Sequence, residues 1–199
     1  MLIMFTKYGS FDSNELVNFR SKSVPGPIGA IEKMCLEDGV FSDWTIISEE
    51  GQRFPCHRNI LAAKSSTMKA MMTTEMKEKE EMETRLKYNN KVVGAFVDYF
   101  YKGEVPKVVL ETNLSSFMKL SDFYNLDPLK SQVEDVAIKT LDMENVVEMF
   151  SLANLHNAES LKRVSRYFII ENRKILGQQD LSQVPPSVMA KLFKLLSQS

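Results

Sequence analysis

Cysteine, glycine and proline are all scarce in this chain: two, eight and seven among 199 residues. Two cysteines, Cys35 and Cys56, cannot build a disulfide framework, and their rarity fits a reducing compartment, so the nucleus or the cytoplasm is the expected location. So little glycine and proline excludes collagen-like, linker-like and disordered chains. The glycines never cluster, which removes the phosphate-cradling loop, the dinucleotide fingerprint and the nucleophile elbow together. No charge of one sign dominates either: 25 basic side chains face 26 acidic ones, a formal net charge of −1. That balance gives no field for gathering phosphate backbone and argues against a nucleic-acid partner. No apolar run approaches the roughly 20 residues of a membrane span. Residues 1–5 are apolar but are broken at once by Lys7 and Gly9, too soon for a signal peptide. What the chain does have is 44% hydrophobic residues, enough for a sizeable core in one or two mostly helical domains. The expected partner is protein.

Candidate chemistry is equally sparse. There are two histidines, His57 and His156. A zinc site needs Cys35, Cys56, His57 and His156 to converge, yet Cys56 and His57 are neighbours that leave an extended chain on different sides. The same adjacency is not the geometry that activates a thiolate nucleophile. Carboxylates abound between Glu78 and Glu83, but in a solvated run without apolar neighbours to raise a pKa. The reading is therefore no metal, no cofactor, no catalytic residue and no enzyme.

Patterning divides the chain. Residues 1–27 are turn-rich and close on Val24, Pro25, Gly26 and Pro27, which punctuate like a linker. Ile28, Ile31, Met34 and Cys35 then recur at helical spacing, which suits either a helix lying on its own domain or one that meets another subunit. The β-branched and aromatic segment 41–47 and the segment 53–56, separated by Ser48, Glu49, Glu50 and Gly51, read as a hairpin. Two short helices follow over 57–64 and 66–72. Of the thirteen residues 75–87, nine are charged, and that stretch is expected to be solvated. Alternation over 84–88 predicts one more strand, with Leu86 and Tyr88 on one face. Beyond it the period stays helical. Stripes run through Val92 to Phe100, Leu114 to Met118, Leu129 to Ala137 behind an Asp127-Pro128 start, Val146 to Ala153 behind Asp142, Leu161 to Ile175, and Val188 to Leu196. A small sheet followed by helix upon helix is an α+β architecture passing into all-α.

The string Phe41-Ser-Asp-Trp-Thr-Ile46, then Phe54-Pro-Cys-His57-Arg-Asn-Ile-Leu-Ala-Ala-Lys-Ser65, resembles the opening of a BTB/POZ domain. Phe100-Tyr-Lys-Gly-Glu104 and Ser121-Asp-Phe-Tyr-Asn-Leu-Asp-Pro-Leu129 extend the likeness, which covers about residues 28–140. The helices from Asn145 onward are similar to the 3-box or BACK-like extension of speckle-type POZ proteins, the MATH-BTB branch. The resemblance implies three parts: a linker or the remnant of an upstream domain over 1–27, a BTB/POZ domain over 28–140, and a helical extension over 141–199.

It implies roles as well. Homodimerisation is expected through Ile28, Ile31, Met34, Cys35 and Ile60, which favours the subunit-interface reading of the first helix. Glu32 departs from the family pattern, standing where speckle-type proteins have an apolar residue. Asp43 and His57 correspond to a buried structural polar pair. A hydrophobic-any-glutamate motif that binds the cullin-3 scaffold falls on Met76-Lys77-Glu78, where a methionine in a charged loop suits a partner's pocket. Tyr124 is a further candidate for that surface, although an aromatic at a helix end is commonly core. The function implied is a dimeric substrate adaptor for a cullin-3 ubiquitin ligase. A homodimeric scaffold in transcriptional regulation, without cullin contact, is the alternative. Substrate is expected to be chosen by a domain absent here, such as MATH, or by a partner.

Overall fold

The computed structural model describes residues 40–74, 80–172 and 186–197. Its sheet is small and early. Strand β1 (Trp44–Ile47) pairs antiparallel with β2 (Arg53–Cys56), in a register running from Trp44 opposite Cys56 to Ile47 opposite Arg53. Gly51 turns the hairpin at φ 85°, a left-handed conformation that a Cβ disfavours, and its N–H reaches the Ser48 carbonyl at 3.0 Å. On the other side of β1 lies β3 (Glu83–Arg85), parallel to it, so the strand order is β2-β1-β3. A parallel neighbour requires a crossover, and α1 (Arg58–Lys64) and α2 (Ser66–Thr73) lie within it. The third strand starts one residue before the alternation predicts and stops at Arg85. Within the charged stretch Glu83 is only half-buried: its carboxylate accepts from Arg53 at 3.2 Å and from Arg85 at 2.6 Å.

The core is built on α3 (Asn90–Lys102), which buries seven residues including Phe96, Phe100 and Tyr101. Both ends of this helix are well specified. Asn89 Oδ1 accepts from Val92 N–H at 3.0 Å, and Gly103 takes the left-handed C-terminal position at φ 80°. Next come α4 (Lys107–Thr112), which the sequence pattern does not announce, α5 (Leu114–Phe123) and α6 (Asp127–Lys139). Asp127 is the first residue of α6, where its charge complements the helix dipole. Then follow α7 (Val146–Leu155), α8 (Glu159–Glu171) and α9 (Pro186–Leu196).

One apolar cluster runs from Trp44 and Ile46 through α3, α5 and α6 into Met149, Leu152, Ala153, Ala158 and Leu161 of the extension. The core thus passes beneath residue 141 without a break. A second, smaller cluster joins Val146, Phe150 and Ile169 to Val188 and Leu192.

Two of the helices without a side-chain cap bond are capped from elsewhere in the fold. His57 and Ala158, the residues before α1 and α8, make no side-chain cap bond. Carboxylates distant in sequence take over: Asp43 accepts from Arg58 N–H at 2.8 Å, and Glu134 of α6 accepts from Leu161 N–H at 2.8 Å. Each satisfies an N–H that the helix cannot satisfy itself, and each places negative charge at a positive helix end.

Candidate functional site

His57 is buried and fully occupied. Its backbone N–H reaches the Tyr101 hydroxyl at 3.1 Å, Nδ1 lies 2.9 Å from the same hydroxyl, and Nε2 lies 2.7 Å from the Val40 carbonyl. A carbonyl only accepts, so Nε2 carries a hydrogen and donates it to Val40. The expectation of an Asp43–His57 buried pair is corrected here. Asp43 is exposed and spends its carboxylate on α1, while the hydroxyl of Tyr101 serves the imidazole. Beside His57, burial pushes the Cys56 thiol up to about 12 against a backbone hydrogen bond that lowers it, so this cysteine stays protonated and unreactive at neutral pH.

The surface of greatest interest lies at the C-terminal end of α5. Ser65, fully buried, caps α2 by accepting from Met68 N–H at 3.0 Å and donates its hydroxyl hydrogen to the Tyr124 carbonyl at 2.7 Å. Thr67 donates to the Phe123 carbonyl at 3.0 Å. Asn125, in the left-handed region at φ 52°, donates to Ser66 Oγ at 3.2 Å. These bonds fasten the chain after α5 to the start of α2 and decide which of two adjacent aromatics turns inward. Tyr124 packs on Phe96 at 5.3 Å between ring centroids and is 2% exposed, whereas Phe123 is 60% exposed. The placing of Tyr124 on the binding surface is therefore corrected: it is a core residue, and its neighbour Phe123 presents the aromatic face. Sequence reasoning overlooked Phe123 because helical phase alone does not rank two neighbours at a helix end.

Phe123 borders an open groove of about 720 Å³. One wall is β3 with its continuation to Tyr88; the other runs from Lys119 to Tyr124, and Met71 and His156 also line it. His156 follows α7, so the groove takes in both the sheet region and the extension. Asp122 joins them. Its carboxylate accepts from Lys130 Nζ at 2.6 Å and meets His156 Nδ1 at 3.1 Å, and Lys130 also donates to the His156 carbonyl at 3.0 Å.

Burial alone raises the Asp122 pKa, but the hydrogen bonds and charges of Lys130 and His156 outweigh it, so the carboxyl is held below its usual range. A depressed carboxylate contributes stability that is full above its unfolded pKa and disappears as pH falls through the lower folded value. Asp122→Asn is accordingly expected to be less stable than the parent at pH 7. The gap should not shrink before the pH falls through the ordinary carboxylate range and should close below it, as read by urea unfolding at a series of pH values. A gap that closes between pH 7 and pH 5 would contradict the assignment.

Among the residues expected to bind, Met76 and Glu78 lie outside the described residues, as do Ile28, Ile31, Met34 and Cys35. Ile60, on α1, is half-buried and packs against the core cluster. Met71 and Glu81, which flank the Met76-Lys77-Glu78 motif in sequence, both line the groove. Among the described residues no group of three histidine, cysteine or carboxylate side chains is placed to hold a metal ion.

Residues 33–141 match the profile of the BTB/POZ domain. Kelch-like protein 23 of Mus musculus is 31% identical over 166 residues, covering 83% of this chain and 29% of the relative. Kelch repeat and BTB domain-containing protein 4 of Pongo abelii is 32% identical over 162 residues, or 79% of this chain and 31% of the relative. Kelch repeat and BTB domain-containing protein 3 of Mus musculus is 32% identical over 134 residues, or 67% and 22%. The chain thus spans less than a third of the length of these relatives. These relatives carry Kelch-type names, so what is shown is the BTB/POZ domain and not specifically the speckle-type branch that the sequence resemblance implies. A match of 166 residues is longer than the whole chain up to residue 141, so similarity to Kelch-like protein 23 reaches into the helices that follow α6. Among solved structures, the BTB domain of zebrafish PATZ1 aligns at 18% identity with a TM-score of 0.46, covering 55% of this chain and 87% of that one.

Proposed function

The chain belongs to the BTB/POZ domain family, and from that premise we propose that it is a dimeric adaptor module that recruits a cullin-3 scaffold into a ubiquitin ligase. Transfer chemistry would reside in other subunits. The module's contribution is proximity, and a dimer adds avidity for substrates with repeated sites. Dimerisation is assigned to Ile28, Ile31, Met34, Cys35 and Ile60, scaffold binding to Met76 and Glu78. Substrate choice belongs to a further domain or partner, of the MATH type in the speckle branch, and the site of action to the nucleus or cytoplasm.

The observation that carries the reading is Phe123, an exposed aromatic whose backbone is fastened at its own carbonyl and at that of Tyr124, on a groove shared with the residues flanking the Met76-Lys77-Glu78 motif. Anchoring the backbone in advance removes ordering cost from the docking step. A buried aromatic anchor commonly accounts for about 2 kcal/mol or more of binding.

Calorimetric titration with the cullin-3 amino-terminal domain tests it. Met76→Ala, Glu78→Ala and Phe123→Ala should each weaken binding about tenfold or more, with unchanged circular dichroism. Unchanged affinity in all three removes the site and favours the scaffold role without cullin. Light scattering on the same samples should give twice the chain mass; a single-chain mass removes the dimer.

A further inference from the structure

The groove has a second property, independent of cullin recruitment. One of its walls is the open edge of a sheet. Strand β3 pairs with β1 alone, and among the described residues no strand lies on its outer side. In a parallel ladder alternate residues of a strand address the same neighbour. Thr45 N–H bonds the Met82 carbonyl at 3.1 Å, and Leu86 N–H bonds the Ile47 carbonyl at 2.8 Å. Met82, Thr84 and Leu86 therefore turn their main-chain groups toward β1, and Glu83 and Arg85 turn theirs outward, along the groove wall.

The charges around that edge are unequally satisfied. Glu83 is neutralised by Arg53 and Arg85, and Asp122 by Lys130 and His156. Lys87 and Lys119, one on each wall, are exposed and form no ion pair among the described residues. The groove therefore presents outward-facing main-chain donors and acceptors, an aromatic in Phe123, and two unmatched positive charges.

We propose that this groove binds an extended acidic peptide segment of a partner protein, which adds to the sheet as a fourth strand beside β3. Main-chain bonds to Glu83 and Arg85 would hold the segment. An apolar side chain would lie on Phe123, and carboxylates would meet Lys87 and Lys119. A second copy of β3 is a poorer occupant, because the strand is short and carries charges of its own that discourage self-pairing.

The probe is a fluorescein-labelled peptide of alternating valine and glutamate with a central phenylalanine. Fluorescence anisotropy should show saturable binding to the full chain. A lysine-for-glutamate peptide, and the same acidic peptide N-methylated on alternate residues in both phases, should bind at least about tenfold more weakly. The Lys87→Glu, Lys119→Glu double variant, altered only at exposed positions, should lose affinity to a similar degree while keeping its circular dichroism. Hydrogen exchange supplies the sharpest reading. On peptide binding the amides of Glu83 and Arg85 should gain protection, while Thr84, already bonded to β1, should change little. Absence of saturable binding, indifference to N-methylation, or binding without protection at Glu83 and Arg85 would each overturn the proposal. None of these outcomes depends on whether cullin-3 binds.

Discussion

Phe96→Ala is expected to remove about 3–5 kcal/mol of folding stability, measured as a fall in the urea midpoint with little change in slope. The ring is wholly buried, 5.2 Å edge-on from Phe100 and 5.3 Å from Tyr124. Truncation loses the transfer free energy of the ring and leaves a void, and the anchored neighbours give it little room to close. Tyr124 is held by its carbonyl to the Ser65 hydroxyl, so its backbone cannot slide toward the space without breaking that bond. Phe96→Leu keeps most of the volume and should cost far less, about 1.5 kcal/mol or below. A loss under about 1 kcal/mol for the alanine variant would mean that the region repacks freely and that Phe123 is not rigidly presented. If it is rigidly presented, Phe96→Ala should also weaken whatever docks on Phe123, although it touches no partner itself.

Glu134→Ala is the second large effect. Its carboxylate is nearly buried and receives Leu161 N–H. Removing it orphans a buried donor, which costs about 1–3 kcal/mol, and strips negative charge from the positive end of α8. Glu134→Gln retains an acceptor of the same reach and should recover much of the loss. The distinguishing measurement is native-state hydrogen exchange. In the alanine variant Leu161 and the first turn of α8 should exchange faster than in the glutamine variant, whereas equal exchange in both would show that the cap is not what holds that turn.

Much of this architecture is legible in the chain. The hairpin shows as aromatic and β-branched residues around a glycine turn, and the long helices as apolar stripes between polar faces. Helix α4 does not show, because a six-residue element that buries only Leu110 leaves no period to detect. The parallel strand keeps the expected phase, with Thr84 and Leu86 buried, but not the expected bounds: its register against β1 is set by contacts across the fold, such as Trp44 Nε1 donating to Thr84 Oγ1 at 3.1 Å, not by alternation in its own charged surroundings.

The candidate site is legible in kind but not in detail. Nothing local indicates that Phe123 turns out and Tyr124 in, since the deciding bond comes from Ser65, 59 positions earlier. Likewise the imidazole of His57 takes the hydroxyl of Tyr101, 44 positions later, and Asp43 is left to serve the neighbouring helix. Pairings of this sort follow from where elements pack, which a single sequence states only through family resemblance.

The unbroken core beneath residue 141 has a mechanical meaning. A joint crossed by apolar side chains from both sides behaves as a strut, not a hinge, and bends only as far as packed helices flex. The far end of α8 is thereby held at one bearing and one distance from Phe123. A cargo fastened to α8 or α9 would be presented to the groove's partner along a narrow arc. Such a mount gives up reach and gains local concentration, which suits a platform that must point rather than search.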